Sequence, residues 1–137
     1  KNIAGVKESS GSLEQMSRIR YLCGDKFDLI SGDDALTLPL LAIGGTGVIS
    51  VVNNIVPRDV ADMVSKFKKG DMRGARLLHY KLLPLIKAIF IETNPIPVKT
   101  AMSLMGMIEP DLRLPLCPMS EENLGKLKIA LKSYGLL

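Results

Sequence analysis

Rings and thiols are scarce in this 137-residue chain. Aromatic residues make up 4% of it, His79 is its one histidine, and Cys23 and Cys117 are its two cysteines. So few rings leave little for nucleic-acid bases to stack on, and the 18 lysines and arginines are spread along the sequence rather than gathered in a stripe. Their densest stretch, Lys66, Lys68, Lys69, Arg73 and Arg76, is interrupted by Asp71 and preceded by Asp62, the pattern of a solvated helix face. The net charge of +4 suits small anionic ligands, and no nucleic-acid partner is expected. Two isolated thiols without a Cys-x-x-Cys pair or a histidine cluster offer neither a disulfide framework nor a metal site, and they fit a reducing, cytoplasmic compartment. The longest apolar run, Leu36 to Ile43, contains Pro39 and is far short of the ~20 residues that cross a bilayer, so no membrane partner is expected.

Phosphate-loop chemistry is also missing. Glycines 44, 45 and 47 have neither GxGxxG nor Walker spacing, and a strand pattern follows where a helix should, so they read as a tight turn. His79 lies in a helical pattern with Arg76 and Lys81 and without the partners a general base needs, which makes it a surface or interface residue. No cofactor is expected.

What remains is an ordinary folded chain, 47% hydrophobic. It opens on Lys-Asn-Ile with neither an initiator methionine nor a leader, and its first strand pattern starts at once, so sequence upstream of it is expected. Ile3 to Lys7 reads as a buried strand. Leu13, Met16, Ile19 and Leu22 then recur at helical spacing behind a Ser12 cap, with Gln15 three positions on and Gly24 as the stop. Phe27 to Ser31 is a second strand, after which Gly32 leads to Asp33 and Asp34, placed to serve the positive end of a helix reaching about Ile43. The glycine turn at 44–47 enters a third strand, Val48 to Val52, and Pro57-Arg58-Asp59 opens a third helix that Gly70 ends.

Three strand-helix units with apolar strands require a parallel sheet covered by helices, in an open doubly wound sheet or a closed barrel of eight units. Three units cannot close a barrel. From Asp71 onward the pattern is wholly helical: Asp71 to Phe90, Pro97 to Met105, and Ser120 to Tyr134 with Ser120 and Asn123 at its start. The fold class is therefore α/β, with βα units over 1–70 and a helical domain over 71–137. Met102, Met105 and Met107 read as adaptable packing in the latter.

The chemistry is expected where the strands end. In βα architectures the loops after the strands converge there, and Lys7, the Ser31-Gly32 corner and the Val48-Ile49-Ser50 stretch all fall at such ends. An amine attacks a carbonyl only with its lone pair free, and burial beside Ile3 and Val6 would favour that neutral form. Lys7 could then form an imine with an oxo acid, which is class I aldolase chemistry. Position alone leaves a second role open, a lysine whose stem lies along the sheet while its head reaches solvent. Asp33 and Asp34 read as a helix cap rather than an acid/base pair.

The block Asn2-Ile3-Ala4-Gly5-Val6-Lys7-Glu8-Ser9-Ser10-Gly11 closely resembles the Schiff-base lysine segment of the dihydrodipicolinate synthase and N-acetylneuraminate lyase superfamily. Ser31-Gly32-Asp33-Asp34 is similar to the end of that family's seventh strand, and Gly44-Gly45-Thr46-Gly47-Val48-Ile49-Ser50 to its eighth. Asn94-Pro95-Ile96-Pro97-Val98-Lys99 resembles a signature of the synthase branch. The resemblance implies the carboxyl-terminal part of a TIM-type (β/α)8 barrel, units six to eight, followed by a helical domain. It implies that Lys7 binds pyruvate as an imine, that the backbone carbonyl of Ile49 holds the pyruvate or relays protons, and that Gly32 lines the same pocket.

The implied reaction is condensation of pyruvate with L-aspartate-4-semialdehyde to a hydroxy-tetrahydrodipicolinate, in lysine and diaminopimelate biosynthesis. A homotetramer is implied as well. The family's threonine and tyrosine proton relay, its arginine clamp and its lysine-feedback site come from the first five units, which this chain does not include. Tyr21, Tyr80 and Tyr134 fall in helical patterns and match no relay tyrosine. Weak or no turnover is therefore expected unless the amino-terminal half is supplied. The alternatives are another pyruvate-dependent aldolase of the superfamily, such as a sialic acid lyase or a keto-deoxy-sugar-acid aldolase, and a non-catalytic half-barrel.

Overall fold

A computed structural model of the chain describes residues 2–137. Its elements run β1 (Gly5–Glu8), α1 (Leu13–Cys23), β2 (Asp28–Ser31), α2 (Thr37–Ala42), β3 (Gly47–Val48), a 3-10 turn (Val52–Asn54), α3 (Pro57–Lys68), α4 (Met72–Ile89), α5 (Ile96–Leu104) and α6 (Glu121–Tyr134). They form two compact units, one of residues 1–50 with 58–79 and one of residues 51–57 with 80–137.

The first unit holds a three-stranded parallel sheet in the order β1-β2-β3, as the repeated strand-helix pattern requires. Its core is Met16 of α1, Leu29 of β2 and Leu40 of α2, all fully buried, with Val6, Ile19, Leu36 and Ile43 packed around them. Side chains alternate along a strand, so Val6 and Leu29 turn toward the helices while Lys7 and its register partner Ile30 turn to the opposite face.

That alternation corrects the expected environment of Lys7. The strand begins at Gly5 rather than Ile3, Ile3 is 77% exposed, and Lys7 is exposed one residue before the strand ends. A burying strand wall is absent at this position because α1 and α2 cover only the other face. Glu8, by contrast, points among the helices and is 5% exposed, its Oε1 accepting from the Ser10 N–H at 2.8 Å and from Gln15 Nε2 at 3.0 Å.

Two other boundaries differ from the pattern. The third strand stops at Val48 instead of Val52, since β2 ends at Ser31 and offers no partner beyond the bond from the Ile49 N–H to the Ser31 carbonyl at 2.9 Å. Helix α2 starts at Thr37, and neither aspartate caps it: its N-cap is Leu36, without a side-chain hydrogen bond. Asp33 instead accepts from the Ala35 N–H at 2.9 Å, closing a local turn. Pro39 is tolerated as the third helical residue because the first N–H groups of a helix have no intrahelical acceptor.

Local signals elsewhere match. Ser12 caps α1 by accepting from the Gln15 N–H, although Gln15's side chain turns to Glu8 rather than back to the cap. Gly24 and Gly70 take the positive φ values of 70° and 81° that end α1 and follow α3.

In the second unit, α5 and α6 pack together, and Leu127 and Leu131 of α6 are fully buried. Ser120 caps α6, accepting from the Asn123 N–H. Glu92 fastens this start: its Oε1 accepts from Asn123 Nδ2 at 2.8 Å and from the Ser120 N–H and hydroxyl at 3.1 and 3.0 Å. These bonds, led by Asn123, hold the Glu92 carboxyl below its usual range. A carboxyl depressed by folding adds stability that is complete above its unfolded pKa and is lost as pH falls through its folded value. Glu92→Gln is therefore expected to lower the thermal midpoint at pH 7, with the gap to the parent closing as the medium is acidified below the carboxylate range. A constant gap at all pH values would contradict this.

Candidate active site

The carboxyl ends of β1, β2 and β3 lie side by side by virtue of the parallel register, which pairs Lys7 with Ile30, Glu8 with Ser31, and Ser31 with Val48. The turn after β2 is tied to both neighbours. Gly32 donates its N–H to the Glu8 carbonyl at 2.7 Å, while the Ser31 carbonyl accepts from Ile49. The buried Ser31 hydroxyl donates to the Asp33 carbonyl at 2.7 Å and accepts from the Asp33 N–H, which stiffens the corner.

Gly32 leaves room at this corner. A Cβ there would overlap the Ser9 hydroxyl and lie 2.8 Å from Lys7 Cε, so the absent side chain lets the lysine stem pass over the corner. The structure thus brings Lys7 against Gly32 and sets Ile49, 53% exposed, on the next strand end through its bond to Ser31. Gly32→Ala is expected to slow any covalent chemistry of the Lys7 amine by about 10- to 100-fold through misplacement of the stem. Stability should fall little, because the Lys7 and Ser9 ends can swing aside; thermal unfolding alongside amine labelling measures both. Labelling at the parental rate would contradict this account.

One pair at this end was not legible in the sequence. Asp34, 2% exposed, accepts a hydrogen bond from the Ser50 hydroxyl across sixteen residues. Asp33 and Asp34 are chemically identical in the sequence, and only the tertiary fold separates the half-buried turn-former from the buried partner of Ser50.

The remaining candidates lie elsewhere. His79, in α4, is partly buried, and this desolvation lowers its pKa from the ordinary histidine value. Tyr21, Tyr80 and Tyr134 sit on α1, α4 and α6, as expected. Cys23 and Cys117 are exposed and unbridged. No group of three His, Cys, Asp or Glu side chains suited to a metal occurs among the described residues, and no helix among them is long and apolar enough to cross a membrane. Lys99, in the Asn94 to Lys99 block, donates to the Asp111 carbonyl, and that block spans the α4–α5 connector and the start of α5.

Comparison with known proteins assigns this arrangement to a lineage. The chain is 64% identical over all of its 137 residues to the 4-hydroxy-tetrahydrodipicolinate synthase of Endomicrobium trichonymphae, covering 47% of that protein. The crystal structure of dihydrodipicolinate synthase from Aquifex aeolicus matches it with a TM-score of 0.95 and 50% identity, over 98% of this chain and 46% of that one. The chloride-inhibited dihydrodipicolinate synthase from Acinetobacter baumannii, solved in complex with pyruvate, matches with a TM-score of 0.94 and 34% identity, over 99% of this chain and 47% of that one. The chain spans about half the length of the curated relatives it matches. The family model for the dihydrodipicolinate synthetase family matches residues 1–134, and with it the strand ends bearing Lys7, Gly32 and Ile49; the chain belongs to that family.

Proposed function

We propose that this chain is the nucleophile-bearing part of a 4-hydroxy-tetrahydrodipicolinate synthase, formed by units six to eight of a TIM-type barrel and a helical domain. Lys7 is the Schiff-base lysine. Its amine adds to the keto carbon of pyruvate and expels water, and the protonated imine that results draws electrons from the adjacent methyl carbon. Loss of a proton from that carbon yields an enamine, which attacks the aldehyde carbon of L-aspartate-4-semialdehyde, whose oxygen takes up a proton to become the hydroxyl. The substrate's own amino group then attacks the imine carbon and displaces the Lys7 amine, closing the ring of the hydroxy-tetrahydrodipicolinate used in lysine and diaminopimelate biosynthesis and restoring the free lysine. Gly32 lines the pyruvate pocket, and the Ile49 carbonyl holds the oxo acid.

One observation carries this: the Lys7 stem lies over a residue that has no side chain, at the meeting of three parallel strand ends. The match to a pyruvate-bound relative supports the same substrate. Because Lys7 is exposed on the uncovered sheet face, the dry surroundings of the amine come from the first five barrel units, which also carry the proton relay. The complete enzyme works as a homo-oligomer in the cytoplasm, and this half alone turns over slowly or not at all.

The test is to incubate the chain, supplemented with the amino-terminal half of the barrel, with pyruvate, reduce with borohydride, and map the stabilised adduct by peptide mass. A single preferred adduct on Lys7 supports the assignment, and labelling spread evenly over the lysines removes it. Aspartate semialdehyde compared with sugar-derived aldehydes, in a sample supplemented with the amino-terminal half, then separates the synthase from the other aldolases of the superfamily.

A further inference from the structure

The imine chemistry leaves one built feature of the corner without a task. Asp34 is a carboxylate at 2% exposure, and burying a carboxylate is costly unless hydrogen bonds compensate it. In its bond with Ser50 the serine hydroxyl donates and the Asp34 Oδ1 accepts.

Ser50 directly follows Ile49. The Ile49 N–H donates to the Ser31 carbonyl at 2.9 Å, and the Ser50 hydroxyl donates to Asp34. These two anchors bracket a single backbone carbonyl. With the amide tied on one side and the hydroxyl on the other, the torsion about the Ile49 Cα–C bond has little freedom, and that torsion aims the Ile49 carbonyl oxygen. The hold is needed because β3 has already ended: its last residue is Val48, so sheet pairing no longer fixes the backbone at Ser50. Asp33 does not share the task, since its carboxylate closes the local turn at Ala35.

We propose that Asp34 is a positioning residue, acting through the Ser50 hydroxyl to set the direction of the Ile49 carbonyl and so the affinity of the site for the oxo acid. This rests on the role given above to Ile49.

The experiment uses the chain supplemented with the amino-terminal half of the barrel and follows borohydride trapping of pyruvate on Lys7 across pyruvate concentrations, so that the half-saturating concentration and the limiting rate are read separately. Ser50→Ala and Asp34→Ala are each expected to raise the half-saturating concentration about tenfold, with the limiting rate within about twofold of the parent. Ser50→Thr keeps the hydroxyl and Asp34→Asn keeps an acceptor of the same size; both should behave like the parent. The double variant Asp34→Ala/Ser50→Ala should raise the half-saturating concentration by less than the two single effects combined, because both changes remove the same bond.

Circular dichroism and thermal unfolding identify any variant that loses its fold, and Ser50→Ala, the smaller change, then carries the test. A lowered thermal midpoint with unchanged half-saturation would make the pair merely structural and overturn the proposal. Absence of any Lys7 adduct in the parent overturns the function itself, and this proposal with it. Parental trapping that is indifferent to all four single substitutions overturns the positioning role alone.

Discussion

Lys7→Arg is expected to abolish pyruvate labelling at this position completely while leaving the fold intact. Arginine keeps the positive charge and an apolar stem, but its guanidinium stays protonated at every accessible pH and has no nucleophilic lone pair. Lys7 is exposed on the sheet face opposite Met16, Leu29 and Leu40, so the larger head can reach solvent without disturbing the core. Charge and bulk are thereby separated from nucleophilicity. The measurement is peptide mapping after borohydride reduction in the presence of the amino-terminal half, with the chain's other lysines as internal controls and thermal unfolding as the check on folding. If the arginine variant takes up label in the Lys7 peptide region as the parent does, or if parent and variant label equally overall, the imine assignment fails.

The second large effect concerns stability. Leu40 is fully buried between Met16 and Leu29, and it also supports the turn into β3: its carbonyl accepts from the Gly45 N–H at 2.8 Å, and its side chain fills the space that a Cβ on Gly45 would need. Leu40→Ala removes apolar contacts and leaves a cavity, at an expected cost of about 2–5 kcal/mol. Against the 5–15 kcal/mol typical of a whole domain, a loss of about that size removes a large share of the total. The turn at 44–47 leads to Ile49, so pyruvate trapping should weaken in parallel with the loss of fold. Leu40→Met, which nearly conserves volume, should cost less than about 1.5 kcal/mol. Denaturant unfolding of the three proteins checks the order; an alanine variant as stable as the methionine one would show that the site collapses without penalty.

How much of this was legible beforehand differs from residue to residue. Ser12 and Ser120 as caps, and Gly24 and Gly70 as helix stops, were readable because capping is a bond within three or four residues and left-handed backbone is a property of one residue. The three parallel strands followed from apolar runs alternating with helical periodicity. The strand ends did not: β3 stops at Val48 because β2 runs out at Ser31, seventeen positions earlier, and no run of valines reports where a neighbour stops. The roles of the two aspartates after Gly32 are not local for the same reason, since the α2 start and the Ser50 hydroxyl that decide them lie elsewhere in the chain.

Lys7 itself could be singled out from the amino-acid order, because a lysine at the end of an apolar run beside a Gly-Ser turn is chemically conspicuous and its surrounding block carries the family resemblance. That it faces away from the helices, exposed, with its stem over Gly32, was decided by the pairing of three strands. Side-chain alternation assigns a residue to one of two faces, and only the packing of α1 and α2 determines which of the two is covered.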